Sequence, residues 1–336
     1  MSEALPVIAA LGAGRMGRGI AHVFAYAGHR VVLVDVKARP EEAVRRLERE
    51  ALGEIEAALA VLAEIGVFAA AEIPAILGRI GFAGRAAAPA ALASAGYVFE
   101  GVPEVLEWKR EALAFAAPYL GADTVLASTT SSFLVDALAE LAPAPERFLN
   151  AHWLNPAYII PLVELSPGRR TDPAVLARMK ALLEAIGKVP VICAAAPGYI
   201  VPRIQALAMN EAARLVEEGI ATAEDVDKAT RYGIGFRSAA MGLLEFIDYG
   251  GGDILYYASR SLAEAMRDSR FAAPEIIDRN MREGRLGLRS GRGFYDFAGV
   301  DVAAYRKEVL RRLAGQLAHV DLLLPPGAAA RKRGAA

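Results

Sequence analysis

At 336 residues, with a hydrophobic share of 54% and a formal charge of −1, the chain has the size for two globular domains and no global basic field to recruit nucleic acid. Its single cysteine, Cys193, excludes an intramolecular disulfide framework and fits a reducing compartment. No segment has the apolar length of a membrane helix, and the N-terminus runs straight into a strand with no basic-then-apolar leader, so the expected location is cytoplasmic with no membrane partner.

The first half alternates short apolar runs with helical patterns. Residues 6-PVIAALG-12 read as a strand, 15-RMGRGIAHVFAYAG-28 as a helix closed by Gly28, and 30-RVVLVD-35 as a second strand. A helical stretch from about Pro40 to Arg79, broken near 66-GVF-68, is longer than an ordinary crossover and reads as an inserted helical hairpin. Further strands are expected at 96-GYVFEGV-102, 124-TVLAS-128, 147-RFLNAHW-153, 160-IPLVELS-166 and 188-KVPVIC-193, with Cys193 as a buried strand residue. The expected fold is therefore α/β, a doubly wound and mainly parallel sheet. After Cys193 the character changes. The segment 194-AAAPGYIVPR-203 is a turn into a helix with Pro202 near its first turn, and helical periodicity with Gly-rich breaks follows to about Asn280. This predicts an all-α C-terminal domain over 195–325 behind an α/β domain over 1–194, with a disordered tail at 326–336 that carries the basic run 331-RKRG-334.

Gly12, Gly14 and Gly17 form G-x-G-x-x-G at a strand-to-helix junction. Gly12 allows the tight turn, Gly14 lets the backbone approach a pyrophosphate, and Gly17 lets the helix pack close to the strand. Arg15 and Met16, at the helix start, join the candidate cofactor set, because a helix N-terminus offers free N–H groups and a positive dipole end to phosphates. Asp35 ends the next strand, where an acid suits the adenosine ribose hydroxyls of NAD and repels the 2′-phosphate of NADP. Lys37 and Arg39 either tolerate such a phosphate or are solvated loop charges. The competing reading of the loop is a glycine-rich turn without a ligand. His22, His29 and His319 lack ligand-type spacing, so no metal site is expected.

Three segments, 124-TVLASTTSS-132, 148-FLNAHWLNP-156 and 161-PLVEL-165, are each a strand end or the loop after it. The carboxyl ends of strands in an open α/β sheet line the ligand crevice. Ser131, His152 and Asn155 are thereby expected to converge, with Glu164 behind the histidine. Oxidising a secondary alcohol needs a base for the hydroxyl proton as the hydride departs, and histidine titrates near neutrality. A carboxylate on the far ring nitrogen fixes the tautomer. Ser131 would donate to the substrate oxygen, and Asn155 would hold the histidine or the cofactor amide. The competing reading makes His152 a core histidine satisfied by backbone groups and Glu164 a surface charge.

These residues, with 194-AAAPGYIVPR-203, NEAARLVEEGIATAEDVDKA over 210–229 and GLRSGRGFYDF over 287–297, resemble the L-3-hydroxyacyl-CoA dehydrogenases from about residue 6 to residue 297. The resemblance implies a Rossmann-type NAD-binding domain followed by a helical domain, NAD-dependent, reversible oxidation of an L-3-hydroxyl to a 3-ketone, and a homodimer assembled through the C-terminal helical domain. By position it implies His152 as general base, Glu164 as its orienting partner, Ser131 at the substrate oxygen, and Asn155 in the same site. It also places Glu104 and Lys109, in 100-EGVPEVLEWK-109, at the nicotinamide ribose; the competing reading of that pair is an exposed helix ion pair worth little. Arg289 matches a basic residue near the cofactor more loosely.

The chain departs from the family pattern at three places. Pro202 stands where the family has a substrate-side asparagine. The hairpin, where relatives bind CoA partly through lysines, has no lysine between Lys37 and Lys109; Arg45, Arg46 and Arg49 either substitute or, the favoured reading, form a solvated helix face. Arg237, in 233-GIGFRSAAMGLLEF-246, resembles relatives acting on free hydroxy acids, such as gulonate and carnitine dehydrogenases and the lambda-crystallins. It would clamp a substrate carboxylate or serve structurally, capping a helix or pairing with Glu245. The expected substrate is thus a short 3-hydroxyacyl-CoA such as 3-hydroxybutyryl-CoA, with a free 3-hydroxy acid as the alternative and a non-catalytic NAD-binding role as a third.

Overall fold

The computed structural model describes residues 4–323 and 325–326, so the expectation for the tail falls almost wholly outside the described residues. The chain divides into two compact units, Met1–Ala208 and Met209–Ala336.

The first unit is built on eight strands: β1 (Ile8–Leu11), β2 (Val31–Val34), β3 (Ile80–Ala83), β4 (Tyr97–Glu100), β5 (Val125–Ser128), β6 (Phe148–Trp153), β7 (Leu162–Pro167) and β8 (Val189–Ile192). They form one sheet in the order β3-β2-β1-β4-β5-β6-β7-β8. All neighbouring pairs are parallel except β6–β7. The central strands are apolar on both faces because both are covered. Ile8, Ala10, Leu33 and Phe99 face one core, while Ala9, Leu11, Val34 and Val98 face the other. Helices α1 (Arg15–Tyr26), α2 (Glu41–Glu64), α3 (Ile73–Leu77), α4 (Ala88–Ala93), α5 (Leu106–Ala116), α6 (Val135–Ala139) and α7 (Pro173–Ala185) supply the connections. Chain order reverses between β1 and β4, which opens a crevice at their carboxyl ends.

Two sequence expectations need correction. Strand β3 was not anticipated: it is four residues long, lies at the sheet edge, and buries only Ile80 and Ala83 around an exposed Gly81, so its pattern is too short to register. Cys193 is not a buried strand residue. It follows the end of β8, the opposite edge strand, and is only half-buried.

The second unit is helical. Helix α8 (Val201–Glu217) leads into it, followed by α9 (Ala223–Ala229), α10 (Phe236–Ala240), α11 (Leu243–Gly250), α12 (Gly252–Met266), α13 (Glu275–Arg282) and α14 (Val302–His319). The segment 287–297 wraps Asp248 of α11. The buried Asp248 carboxylate accepts from the backbone N–H of Phe294 (3.0 Å) and Tyr295 (2.8 Å). A Cβ on Gly293 would sit 2.1 Å from that carboxylate, which accounts for the glycine. Among the described residues no helix is long and apolar enough to cross a membrane.

Candidate active site

A cavity of about 900 Å³ lies at the carboxyl ends of β1, β2, β4, β5 and β6. It is lined by the glycine loop, Asp35, Gly101 to Glu104, Ser131, His152 and Asn155, so the residues expected to converge do share one space.

The loop's geometry follows from its glycines. Gly12 has φ +109°, in the region that favours glycine, and an added Cβ would crowd the Gly101 backbone at 3.1 Å. A Cβ on Gly17 would lie 1.9 Å from the Gly12 carbonyl oxygen. Gly14 has nothing within 4 Å of that position and lines the cavity. No side chain caps the start of α1, so its first N–H groups remain available to an anion. Arg15 and Met16 line the same space. These features fit the pyrophosphate of a dinucleotide. Asp35 is buried, with Arg39 Nε 2.6 Å from Oδ2, and Lys37 Nζ lies over the Trp108 ring at 4.6 Å. Both cations line the cavity, with Arg39 paired to Asp35.

His152 and Glu164 are direct cross-strand partners in the antiparallel β6–β7 pair. Residues opposed in this way project from the same face, so the twelve-residue spacing is that of a strand, a return and a strand. His152 Nδ1 lies 2.7 Å from Glu164 Oε2. The carboxylate only accepts, which assigns the proton to Nδ1 and leaves the Nε2 lone pair free. Glu164 is fully buried, and its Oε1 accepts 2.8 Å bonds from the N–H groups of Ile200 and Val201 at the start of α8. It is not a surface charge, and His152 is not satisfied by backbone groups.

Ser131 sits in a turn gathered by Glu104. Glu104 Oε1 accepts from the Thr130 hydroxyl, from the N–H of Ser131 (3.0 Å) and Ser132 (2.9 Å), and from the Ser132 hydroxyl (2.8 Å). Burial alone would raise the Glu104 carboxyl, but the Thr130 and Ser132 hydrogen bonds and the Lys109 charge hold it down at about 2. Lys109 is not exposed. It is fully buried, with Nζ 3.1 Å from both oxygens of Glu100 and 3.3 Å from Glu104 Oε2. Glu100, also fully buried, accepts further bonds from Ser128 Oγ (2.5 Å) and the Val102 N–H (2.8 Å). The pair thus belongs to a buried network joining the ends of β4 and β5 to α5.

Several expectations fall differently. Pro202 does line the cavity, as does Gln205 one helical turn later, a residue the sequence reading passed over. Arg237 lies in α10 of the second unit. Its guanidinium stacks over Phe246 at 4.2 Å and does not pair with Glu245, which instead accepts from the Tyr305 hydroxyl (2.6 Å). Arg289 pairs with Asp253 at 2.9 Å. In the hairpin, Arg45 pairs with Glu41 and Arg46 with Glu50. Glu100, Asn150 and Tyr199 were also missed. Two signals were readable: a charge ending an apolar strand at Glu100, and Asn150 two residues before His152 on the same face of β6.

A glycine-loop sheet of this topology, with an imidazole steered by a carboxylate at its carboxyl edge, defines a dinucleotide-dependent dehydrogenase. The family model described as "3-hydroxyacyl-CoA dehydrogenase, NAD binding domain" matches residues 7–196, and that described as "3-hydroxyacyl-CoA dehydrogenase, C-terminal domain" matches 198–297. The chain is 30% identical to 5-formyl-3-hydroxy-2-methylpyridine 4-carboxylate 5-dehydrogenase of Mesorhizobium japonicum, over 91% of this chain and 95% of that one. It is 33% identical to 3-hydroxybutyryl-CoA dehydrogenase of Bradyrhizobium diazoefficiens, over 89% and 98%. The crystal structure of a 3-hydroxyacyl-CoA dehydrogenase from Archaeoglobus fulgidus aligns with a TM-score of 0.73 and 32% identity, covering 95% of this chain and all of that one. The chain belongs to the 3-hydroxyacyl-CoA dehydrogenase family. It is an NAD-dependent oxidoreductase of the 3-hydroxyacyl-CoA dehydrogenase type.

Proposed function

We propose that the protein oxidises the L-3-hydroxyl of a short 3-hydroxyacyl-CoA, such as 3-hydroxybutyryl-CoA, to the 3-ketone. The observation that carries the chemistry is the buried His152–Glu164 pair, 2.7 Å apart, at the wall of the dinucleotide cavity. The similarity to 3-hydroxybutyryl-CoA dehydrogenase supports the substrate.

NAD, when bound, accepts the hydride from C3. The glycine loop and α1 N-terminus hold its pyrophosphate, Asp35 its adenosine ribose, and Glu104 with the buried Lys109 shapes the wall at its nicotinamide end. His152 takes the hydroxyl proton at Nε2, the nitrogen left free by the bond from Nδ1 to Glu164. Glu164 fixes the ring and balances the imidazolium as it forms. Ser131 and His152 hold the substrate oxygen, and Asn155, on the same cavity wall, belongs to the same site. Pro202 contributes no donor there.

A free 3-hydroxy acid is the second reading. Arg45 and Arg46 of the hairpin are engaged by glutamates of their own helix, while Arg237 has no ion pair among the described residues. The relative named for a pyridine carboxylate supports it too.

The functional division near residue 195, a cytoplasmic location and a homodimer through the helical domain complete the proposal. The junction of the two family models at 196–198 supports the first, and the unburied surface of α8 supports the last.

The test is steady-state kinetics with NAD and either 3-hydroxybutyryl-CoA or free 3-hydroxybutyrate. Turnover of the CoA ester alone is expected. Turnover of the free acid alone, with a raised KM in Arg237→Ala, would replace the first substrate by the second. His152→Ala should lower kcat by about three orders of magnitude or more at unchanged NADH affinity. Glu164→Gln should retain partial activity with a displaced pH profile. An active His152→Ala enzyme ends the mechanism.

A further inference from the structure

We propose that Tyr199 is a positioning residue for the general base: its ring braces the His152 imidazole, and its hydroxyl ties that brace to the Ser131 turn. The proposal rests on the reading of His152 as the base.

The Tyr199 and His152 rings are stacked, with centroids 4.8 Å apart and planes 7° from parallel. The buried Tyr199 adopts a left-handed backbone, φ +44°, directly after Gly198 at φ +76°. That conformation is uncommon for a non-glycine residue. Here the phenol hydroxyl donates to the Thr130 carbonyl at 2.9 Å and accepts from Asn150 Nδ2 at 3.0 Å. Asn150 is itself fastened to the Phe133 carbonyl at 3.0 Å. The next two residues, Ile200 and Val201, give their N–H groups to Glu164. One four-residue turn therefore holds both members of the pair, the imidazole by its face and the carboxylate by its oxygen. The Thr130 carbonyl belongs to the peptide unit that carries the Ser131 N–H, so the hydroxyl links the base to the residue proposed to hold the substrate oxygen.

The stack has a chemical consequence. An aromatic face attracts a cation, and the imidazole becomes one when it takes the proton. Replacing the phenol by an aliphatic group withdraws that attraction from the protonated state, and the His152 proton affinity falls. Removing only the hydroxyl leaves the face in place and loosens the link to Ser131.

The experiment is a proton NMR titration of the imidazole resonances in the protein without substrate, tractable with four histidines, on wild type, Tyr199→Leu and Tyr199→Phe. His152 is assigned through His152→Ala. In Tyr199→Leu its midpoint should fall by about half to one pH unit. In Tyr199→Phe it should stay in place while kcat for NAD with 3-hydroxybutyryl-CoA drops about three- to ten-fold and the NADH affinity holds. An unmoved or raised midpoint in Tyr199→Leu overturns the proposal. Should that variant not fold, Tyr199→Phe and Asn150→Ala decide: wild-type kcat in both overturns it. If His152→Ala retains activity, the reading of the base has failed instead, a result distinct from either.

Discussion

His22 and His152 show what surroundings do to one side chain. His152 has a carboxylate on its ring nitrogen, whereas His22 is buried, stacked on Tyr158 at 4.6 Å, and near the ammonium of Lys188. Burial first and the Lys188 charge second hold His22 at about 4 rather than 6.5. Between those values the unfolded chain binds a proton that the folded chain refuses. Its contribution to stability is therefore complete above about pH 6.5, declines as pH falls, and levels off below about 4. Thermal melts across this range should show a shallower acid decline for His22→Phe, which keeps a stacking ring without the titration; identical slopes would refute the assignment. The His152–Glu164 pair was legible in the sequence because a return between adjacent strands brings residues of similar spacing face to face. Tyr199 was not. Its partners lie 49 and 69 positions away, and nothing local marks an aromatic residue as a brace.

At the scale of elements, the loop joining β1 to α1 separates two roles of glycine. Gly17→Ala forces a methyl group to within 1.9 Å of the Gly12 carbonyl oxygen, so the loop must open or the helix shift. Gly14→Ala meets no protein atom within 4 Å, and Gly14 has an extended backbone that alanine accepts. Gly17→Ala should lower the melting temperature clearly, while Gly14→Ala should melt like wild type and bind NADH at least about ten-fold more weakly, read by fluorescence titration. Full NADH affinity in Gly14→Ala would place the pyrophosphate elsewhere. The loop was readable because glycine spacing has a direct steric meaning. β3 was not, since four residues at an edge carry no period. The closing segment 287–297 could be matched as a motif, but its reason, a buried Asp248 whose carboxylate and backbone both fill glycine positions, is visible only in the fold.

For the whole molecule, the surface carries the prediction. Helix α8 is amphipathic in sequence, yet none of its 17 residues is buried; Leu207 and Met209 are 72% and 67% exposed. The homodimer proposed above would cover such a surface. Light scattering after size exclusion should give twice the mass of the chain, and Leu207→Glu with Met209→Glu should halve it. A monomeric wild type would exclude the homodimer. Fold class was legible from the alternation of apolar runs and helices, because parallel sheets covered on both faces write themselves as such runs. Whether α8 meets its own core or a second chain was not, since an apolar helical stripe reads the same in both cases.

Glu164 answers to two masters. One of its oxygens steers a proton acceptor, and the other is fastened to the opening amides of α8. Were that first turn to lift away, the carboxylate would lose both backbone donors and its negative charge would fall on the imidazole alone, which would grip its proton harder. The seat of a helix is in this way written into the basicity of a side chain on the sheet.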